Sequence, residues 1–290
     1  MSAVEAARAG HGAGDGVNAP VAGALHPALL QAEGVRFAYP GGAPVLDGVD
    51  ISVPEGSITG LVGPSGCGKS TLLALLAGLL QPDAGRLAWS EDRARPPRHP
   101  LTMMFQKDTL LPWMTVEDNI GLHFRVTKSV LDRSAQKARI AELIRLAGLE
   151  GAERKFPYQL SGGMRRRTAF LASVAPHPRV LLLDEPFSAL DEPTRIGIHQ
   201  DIFHIVKREG ITVLLITHDL GEAISLSDQV LVLTAQPARV FKRFEIGFGT
   251  ERNFLGMRED PKFLELYGQV WEQLAVQIQR SRRAAGATAA

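Results

Sequence analysis

The chain has 290 residues, of which 45% are hydrophobic and 22% charged, so it has room for a sizeable core and is too apolar to be a disordered protein. Its 32 Lys and Arg balance 31 Asp and Glu, which argues against a nucleic-acid partner. The single cysteine, Cys67, excludes an intrachain disulfide or a cysteine metal cluster, and the longest apolar run, residues 72–80, falls far short of the roughly 20 residues of a membrane helix.

Residues 1–30 are rich in Ala and Gly with scattered charge and no periodicity, and read as a flexible tail without a secretory signal. A short strand is predicted over 34–39, a turn at Pro40-Gly41-Gly42, and a half-buried strand over 45–53. Residues 57–62 read as a strand that runs into a glycine-rich loop and then a Leu-rich helix over about 69–79. Residues 179–184, 212–217 and 228–233 each hold an unbroken run of four apolar residues, which predicts strands buried on both faces of a parallel sheet. The stretch from about 107 to 173 carries helical signal, over 130–149 and 164–174, and little strand signal. It reads as a helical lobe inserted into the sheet core. A C-terminal helical segment over 251–280 has Phe263, Leu264, Tyr267, Val270, Trp271, Leu274 and Ile278 at a spacing that suits one face of a helix over 261–279. Residues 281–290 read as a frayed tail.

Chemistry enters at Gly63-Pro64-Ser65-Gly66-Cys67-Gly68-Lys69-Ser70, followed by Thr71. A strand, this glycine-rich loop and a helix together make a phosphate-binding loop. Glycines let successive backbone N–H groups point inward at phosphate oxygens, and the helix start adds attraction for anions. Lys69 is positioned for the outer phosphates and the Ser70 hydroxyl for Mg²⁺. Cys67 has no base to pair with and reads as a small residue open to a thiol reagent. The apolar strand ending at Asp184-Glu185 places two carboxylates at a strand tip. Asp184 can hold Mg²⁺ and Glu185 can act as general base toward water. His218 follows another apolar strand and falls at the same sheet edge.

These residues carry a resemblance to the ATP-binding subunits of ABC transporters, covering about residues 31–235. Leu160-Ser161-Gly162-Gly163-Met164 resembles the family's signature motif, upstream of Asp184-Glu185 as the family requires. The resemblance implies an α/β fold: a P-loop ATPase core with a mixed, mainly parallel sheet, an antiparallel β part and an inserted helical subdomain, within a domain of about residues 31–250. It implies ATP and Mg²⁺ as ligands and a head-to-tail homodimer in which Ser161, Gly162 and Gly163 complete the partner's ATP site. Ser188-Ala189-Leu190-Asp191 resembles the loop that crosses that dimer interface. Gln106 resembles the glutamine that senses Mg²⁺ and the permease, His218 the switch histidine at the γ-phosphate, and Tyr39 the aromatic that stacks on adenine, the other reading of Tyr39 being a core tyrosine.

The LLPWMTVEDN stretch at 110–119 and FSALDEPTR at 187–195 are similar to the nitrate, sulfonate and taurine importer branch. That branch implies membrane permease subunits, an extracytoplasmic substrate-binding protein that acts indirectly, and a peripheral place on the cytoplasmic face of the inner membrane. The ATPase half does not fix direction, so an exporter, or a soluble ABC ATPase of DNA repair or translation, stands as the alternative.

Overall fold

The computed structural model describes residues 28–89, 101–107, 109–127, 131–187 and 190–288, with side chains to residue 283. Its strands are β1 (Ala28–Ala38), β2 (Pro44–Pro54), β3 (Ile58–Val62), β4 (Ala84–Trp89), β5 (Leu101–Met104), β6 (Val180–Asp184), β7 (Thr212–Ile216), β8 (Gln229–Leu233) and β9 (Val240–Glu245). The helices are α1 (Lys69–Leu76), α2 (Val116–Ile120), α3 (Leu122–Val126), α4 (Arg133–Leu146), α5 (Gly162–Val174), α6 (Glu192–Glu209), α7 (Leu220–Leu226) and α8 (Pro261–Thr288).

Two sheets form. The first is antiparallel, in the order β2-β1-β4. The second runs β5-β6-β7-β3-β8-β9 and is parallel except for β9. Strands β3, β7 and β8 are buried at every position, which is why their sequences are mainly apolar rather than alternating. Because β5, β6, β7 and β3 are adjacent and parallel, the segments after their C-terminal ends open onto one edge of the sheet. Ligands bind at that edge in open α/β folds.

Helices α2 to α5 lie between β5 and β6 in the chain. They pack on the sheet: Ile120, Leu143, Phe170 and Val174 share one apolar cluster with Leu181 and Leu183 of β6 and with Phe203 of α6. Helix α5 begins at an N-cap in which Ser161 Oγ accepts from the Met164 N–H at 3.2 Å, and α6 begins at an equivalent cap from Asp191.

Three expectations are corrected. The segment read as a tail to residue 30 ends earlier, because Ala28, Leu29 and Leu30 belong to β1, where Leu30 is fully buried and pairs with Val53 and Trp89; residues 1–27 lie outside the described residues. Helix α8 runs on to Thr288, through most of the stretch read as frayed. The apolar stripe of α8 divides. Phe263, Val270 and Leu274 are buried against Val62, Ala223 and Phe244, each worth about 1.5–3 kcal/mol of transfer free energy. Leu264, Tyr267 and Trp271 stay exposed.

Candidate functional site

At the C-terminal end of β3 the chain must turn sharply into α1. Gly66 (φ 73°) and Gly68 (φ 113°) take left-handed backbone conformations there, and a Cβ on Gly68 would come within 2.8 Å of Val45 Cγ1. Helix α1 starts without a side-chain cap, so its first N–H groups are left to a ligand. Lys69 is mostly buried, and its Nζ donates to the Gly63 and Pro64 carbonyls, both at 2.9 Å. The loop is thereby closed over its own lysine.

A cavity of about 690 Å³ opens above this loop. Tyr39, Ser65, Gly66, Gly68, Lys69, Ser70, Thr71, Glu185 and His218 line it, with Val45 and Gln236. The expected phosphate loop, adenine aromatic, general base and switch histidine therefore meet in one place. Tyr39 is 49% exposed, which excludes the core reading. Its ring packs edge-on against Phe37 with centroids 5.0 Å apart, and its hydroxyl lies 3.3 Å from Thr71 Oγ1.

Glu185 sits in the left-handed region at φ 44°, a conformation that costs a non-glycine residue on the order of 1–2 kcal/mol. Its backbone N–H donates to Ile216 O at 2.9 Å, which holds the strained turn. The carboxylate Oε2 accepts from Gln106 Nε2 at 3.1 Å and lies 3.2 Å from His218 Nδ1. Gln106 follows β5, Glu185 follows β6 and His218 follows β7, so three neighbouring strands deliver the three side chains.

Asp184 is hydrogen-bonded to the Ser70 side chain. Burial, and then the adjacent Glu185 carboxylate, push the Asp184 carboxyl above its ordinary value, while Ser70 and Lys69 pull it down. A hydroxyl and two crowded carboxylates beside a phosphate loop make an oxygen-rich set that fits a hard divalent cation. Cys67 is 2% exposed and burial pushes its thiol up, so the expected access for a thiol reagent is absent.

Ser161, Gly162 and Gly163 do not line the cavity. They form the separate start of α5, where Gly163 packs closely on α6: a Cβ there would fall 2.8 Å from Thr194 Cγ2. Asp191 caps α6, and hydrogen bonds from the Thr194 side chain and backbone hold its carboxyl below the ordinary value. Ser188 and Ala189 of the same expected loop lie outside the described residues.

Two further residues were not singled out in the sequence. Arg166, within the run Arg165-Arg166-Arg167, is buried and donates to the backbone of Phe105, Gln106 and Pro186. A run of arginines reads as solvated surface, and only the tertiary contact distinguishes the middle one. Glu222 on α7 is 3% exposed, and its Oε2 accepts from Thr217 Oγ1 at 3.1 Å. Burial, then the Asp219 charge, pushes the Glu222 carboxyl up to about 8.

The ABC transporter family model matches residues 46–188. The chain is 39% identical over 245 residues to the aliphatic sulfonates import ATP-binding protein SsuB 1 of Pseudomonas syringae pv. syringae (strain B728a), covering 84% of this chain and 94% of that one. It is 38% identical over 251 residues to the nitrate import ATP-binding protein NrtC of Synechococcus elongatus, covering 86% of this chain but 38% of that protein's length. A dimeric ATP-binding cassette in a post-hydrolysis state bound to ADP and Pi superimposes with a TM-score of 0.63 at 26% identity, over 75% of this chain and 98% of that one. The phosphate loop, the strand-end carboxylates and the capped α5 thus stand on a shared framework, and the chain belongs to the ATP-binding subunit family of ABC transporters.

Proposed function

We propose that this chain is the ATP-hydrolysing, energy-coupling subunit of an importer for a small anionic or zwitterionic solute of the nitrate, sulfonate or taurine class. The observation that carries the reading is that Gln106, Asp184-Glu185, His218 and the phosphate loop leave the ends of four adjacent parallel strands, with Gln106 and His218 on Glu185 and Asp184 on Ser70. The relatives' names, import of nitrate, aliphatic sulfonates and taurine, supply the solute class.

Tyr39 stacks on the adenine. The loop N–H groups between Gly63 and Thr71 and Lys69 receive the phosphates, while Pro64, which has no N–H, shapes the turn. Ser70, Asp184 and Gln106 are the residues that would hold Mg²⁺, which would supply positive charge against the phosphates. Glu185 accepts the proton of the attacking water, and His218 orients it toward the γ-phosphate. Ser161, Gly162 and Gly163 of one copy close over the nucleotide of a second, with Asp191 at the start of α6 beside that contact. Binding ATP better in the closed pair than in the open pair supplies the work of the cycle.

Among the described residues no helix is long and apolar enough to cross a membrane, so the pathway belongs to permease subunits that this chain engages from the cytoplasmic side. An extracytoplasmic binding protein delivers the solute to those subunits. The test is capture of the tagged full chain from mildly solubilised membranes, with the bound chains identified by mass spectrometry. A multi-span permease is expected; ribosomal or DNA-repair proteins without any permease overturn the reading.

A further inference from the structure

Arg166 lies on α5, the helix whose N-terminus carries Ser161, yet it is only 5% exposed. Its guanidinium donates Nη1 to the Gln106 carbonyl at 3.0 Å, Nη2 to the Phe105 carbonyl at 2.9 Å and Nε to the Pro186 carbonyl. Phe105 and Gln106 leave the end of β5; Pro186 directly follows Glu185. One side chain thus holds the main chain of both segments whose side chains meet at the Gln106–Glu185 hydrogen bond of 3.1 Å. Its neighbours do different things: Arg165 donates to Leu160 O, and Arg167 pairs with Asp201 on α6.

The chemistry selects arginine. A guanidinium is a rigid planar fork with donors on several edges, so it can serve two carbonyls on one strand exit and a third on another at once. A lysine ammonium offers a point of charge and a glutamine amide offers two donors; neither spans both segments. Burying a cation is costly, so its retention here calls for a gain that those three carbonyls supply in part.

We propose that Arg166 is a positioning residue that registers Gln106 and Glu185 against α5, so that the helix presenting Ser161 to a second copy's nucleotide also sets the geometry of hydrolysis in its own copy. The proposal rests on the ATPase reading above. The link is a physical one: a single buried guanidinium joins the α5 backbone to both catalytic loops, and a rigid shift of α5 is transmitted to them without passing through the phosphate loop.

The experiment compares the full chain with R166K, R166Q and R166M, reading ATP affinity with a fluorescent nucleotide and turnover by phosphate release, on variants shown folded by thermal melting. The expected result is a split: ATP affinity stays within about twofold of the parent, while kcat falls about tenfold or more in all three, because a displacement on the order of 1 Å at a catalytic pair is that costly. R166K keeps the charge and loses the fork, so its failure to rescue identifies geometry rather than charge. Parent-like kcat in folded R166K and R166Q overturns the inference. So does a loss of ATP affinity that accounts for the whole loss of turnover, since that is the mark of general damage. A parent chain that binds ATP but does not hydrolyse it, alone or with its permease, overturns the ATPase reading instead.

Discussion

His218 Nδ1 lies 3.2 Å from Oε2 of Glu185, the same oxygen that accepts from Gln106 Nε2 at 3.1 Å. One carboxylate oxygen is thus shared by residues from two flanking strand ends. Glu185 makes both contacts from a left-handed backbone conformation at φ 44°.

Glu185→Gln replaces the carboxylate with an amide of equal shape and removes the proton acceptor. Turnover is expected to fall about 10²- to 10⁴-fold, the ordinary contribution of a general base, with ATP binding kept. Phosphate release and equilibrium nucleotide binding measured on the same sample check this. Parent-like hydrolysis would contradict the assignment.

Tyr39 tests the adenine contact. Tyr39→Ala is expected to weaken ATP binding by about 1–3 kcal/mol, the usual worth of one base–aromatic stack. Tyr39→Phe is expected to leave it nearly unchanged, since the hydroxyl makes only a 3.3 Å exposed contact with Thr71. Equal loss in both variants, seen by titration calorimetry, would move the stacking role elsewhere.

Ser161→Arg places bulk at the start of α5. Because Ser161 does not line its own chain's cavity, ATP affinity of the single chain is expected to survive. The ATP-dependent dimer of the Glu185→Gln background is expected not to form, as read by light scattering. Loss of the cap also costs about 1 kcal/mol, so the melting temperature should drop modestly. Dimers that persist on adding ATP would refute the composite site.

Two glutamates titrate in opposite senses. Burial pushes the Glu209 carboxyl up, but hydrogen bonds from His177 and Arg139 outweigh it and hold the carboxyl at about 2. A folded value below the ordinary 4.5 gives stability that is present above about pH 4.5 and lost as pH falls toward 2. Glu222 is raised to about 8, so the folded chain keeps a proton that the unfolded chain releases. Stability from this site therefore declines as pH rises from about 4.5 to 8. Glu209→Gln should lower the melting temperature near pH 7 and scarcely change it near pH 2. Glu222→Gln should raise it above about pH 8 relative to the parent and much less near pH 4.5. Melting curves across that range that shift by the same amount at every pH would remove both assignments.

The parts of the site made from contiguous residues were legible in the sequence. Gly63 to Ser70 carries its own geometry, because glycine spacing, a preceding apolar strand and a following helix are local facts. The apolar runs at β6, β7 and β8 identified a parallel sheet for the same reason. Elements held by distant partners were not legible. Strand β4 is largely exposed and shows no alternation; it exists because Leu87 and Trp89 pair with Ala32 and Leu30. Residues 101–104 are too short to signal a strand without β6 beside them. Helix α6 carries a readable start at Asp191, but Gly197 and a mixed pattern obscured its 18 residues. Arg166 and Glu222 were invisible because burial of a charged side chain is decided by what packs around it, and nothing in the neighbouring residues announces that.

The separation of α5's start from the cavity of its own chain has a genetic consequence. If Ser161 covers a second copy's nucleotide as proposed, a Lys69→Ala copy would spoil the phosphate contact of the site it anchors, and a Ser161→Arg copy the site it covers. When one of each is paired, both lesions fall in the same composite site and the other site is built wholly from intact residues. Two inactive alleles expressed together would then complement, recovering the half of the mixed pairs' sites that neither allele could form alone.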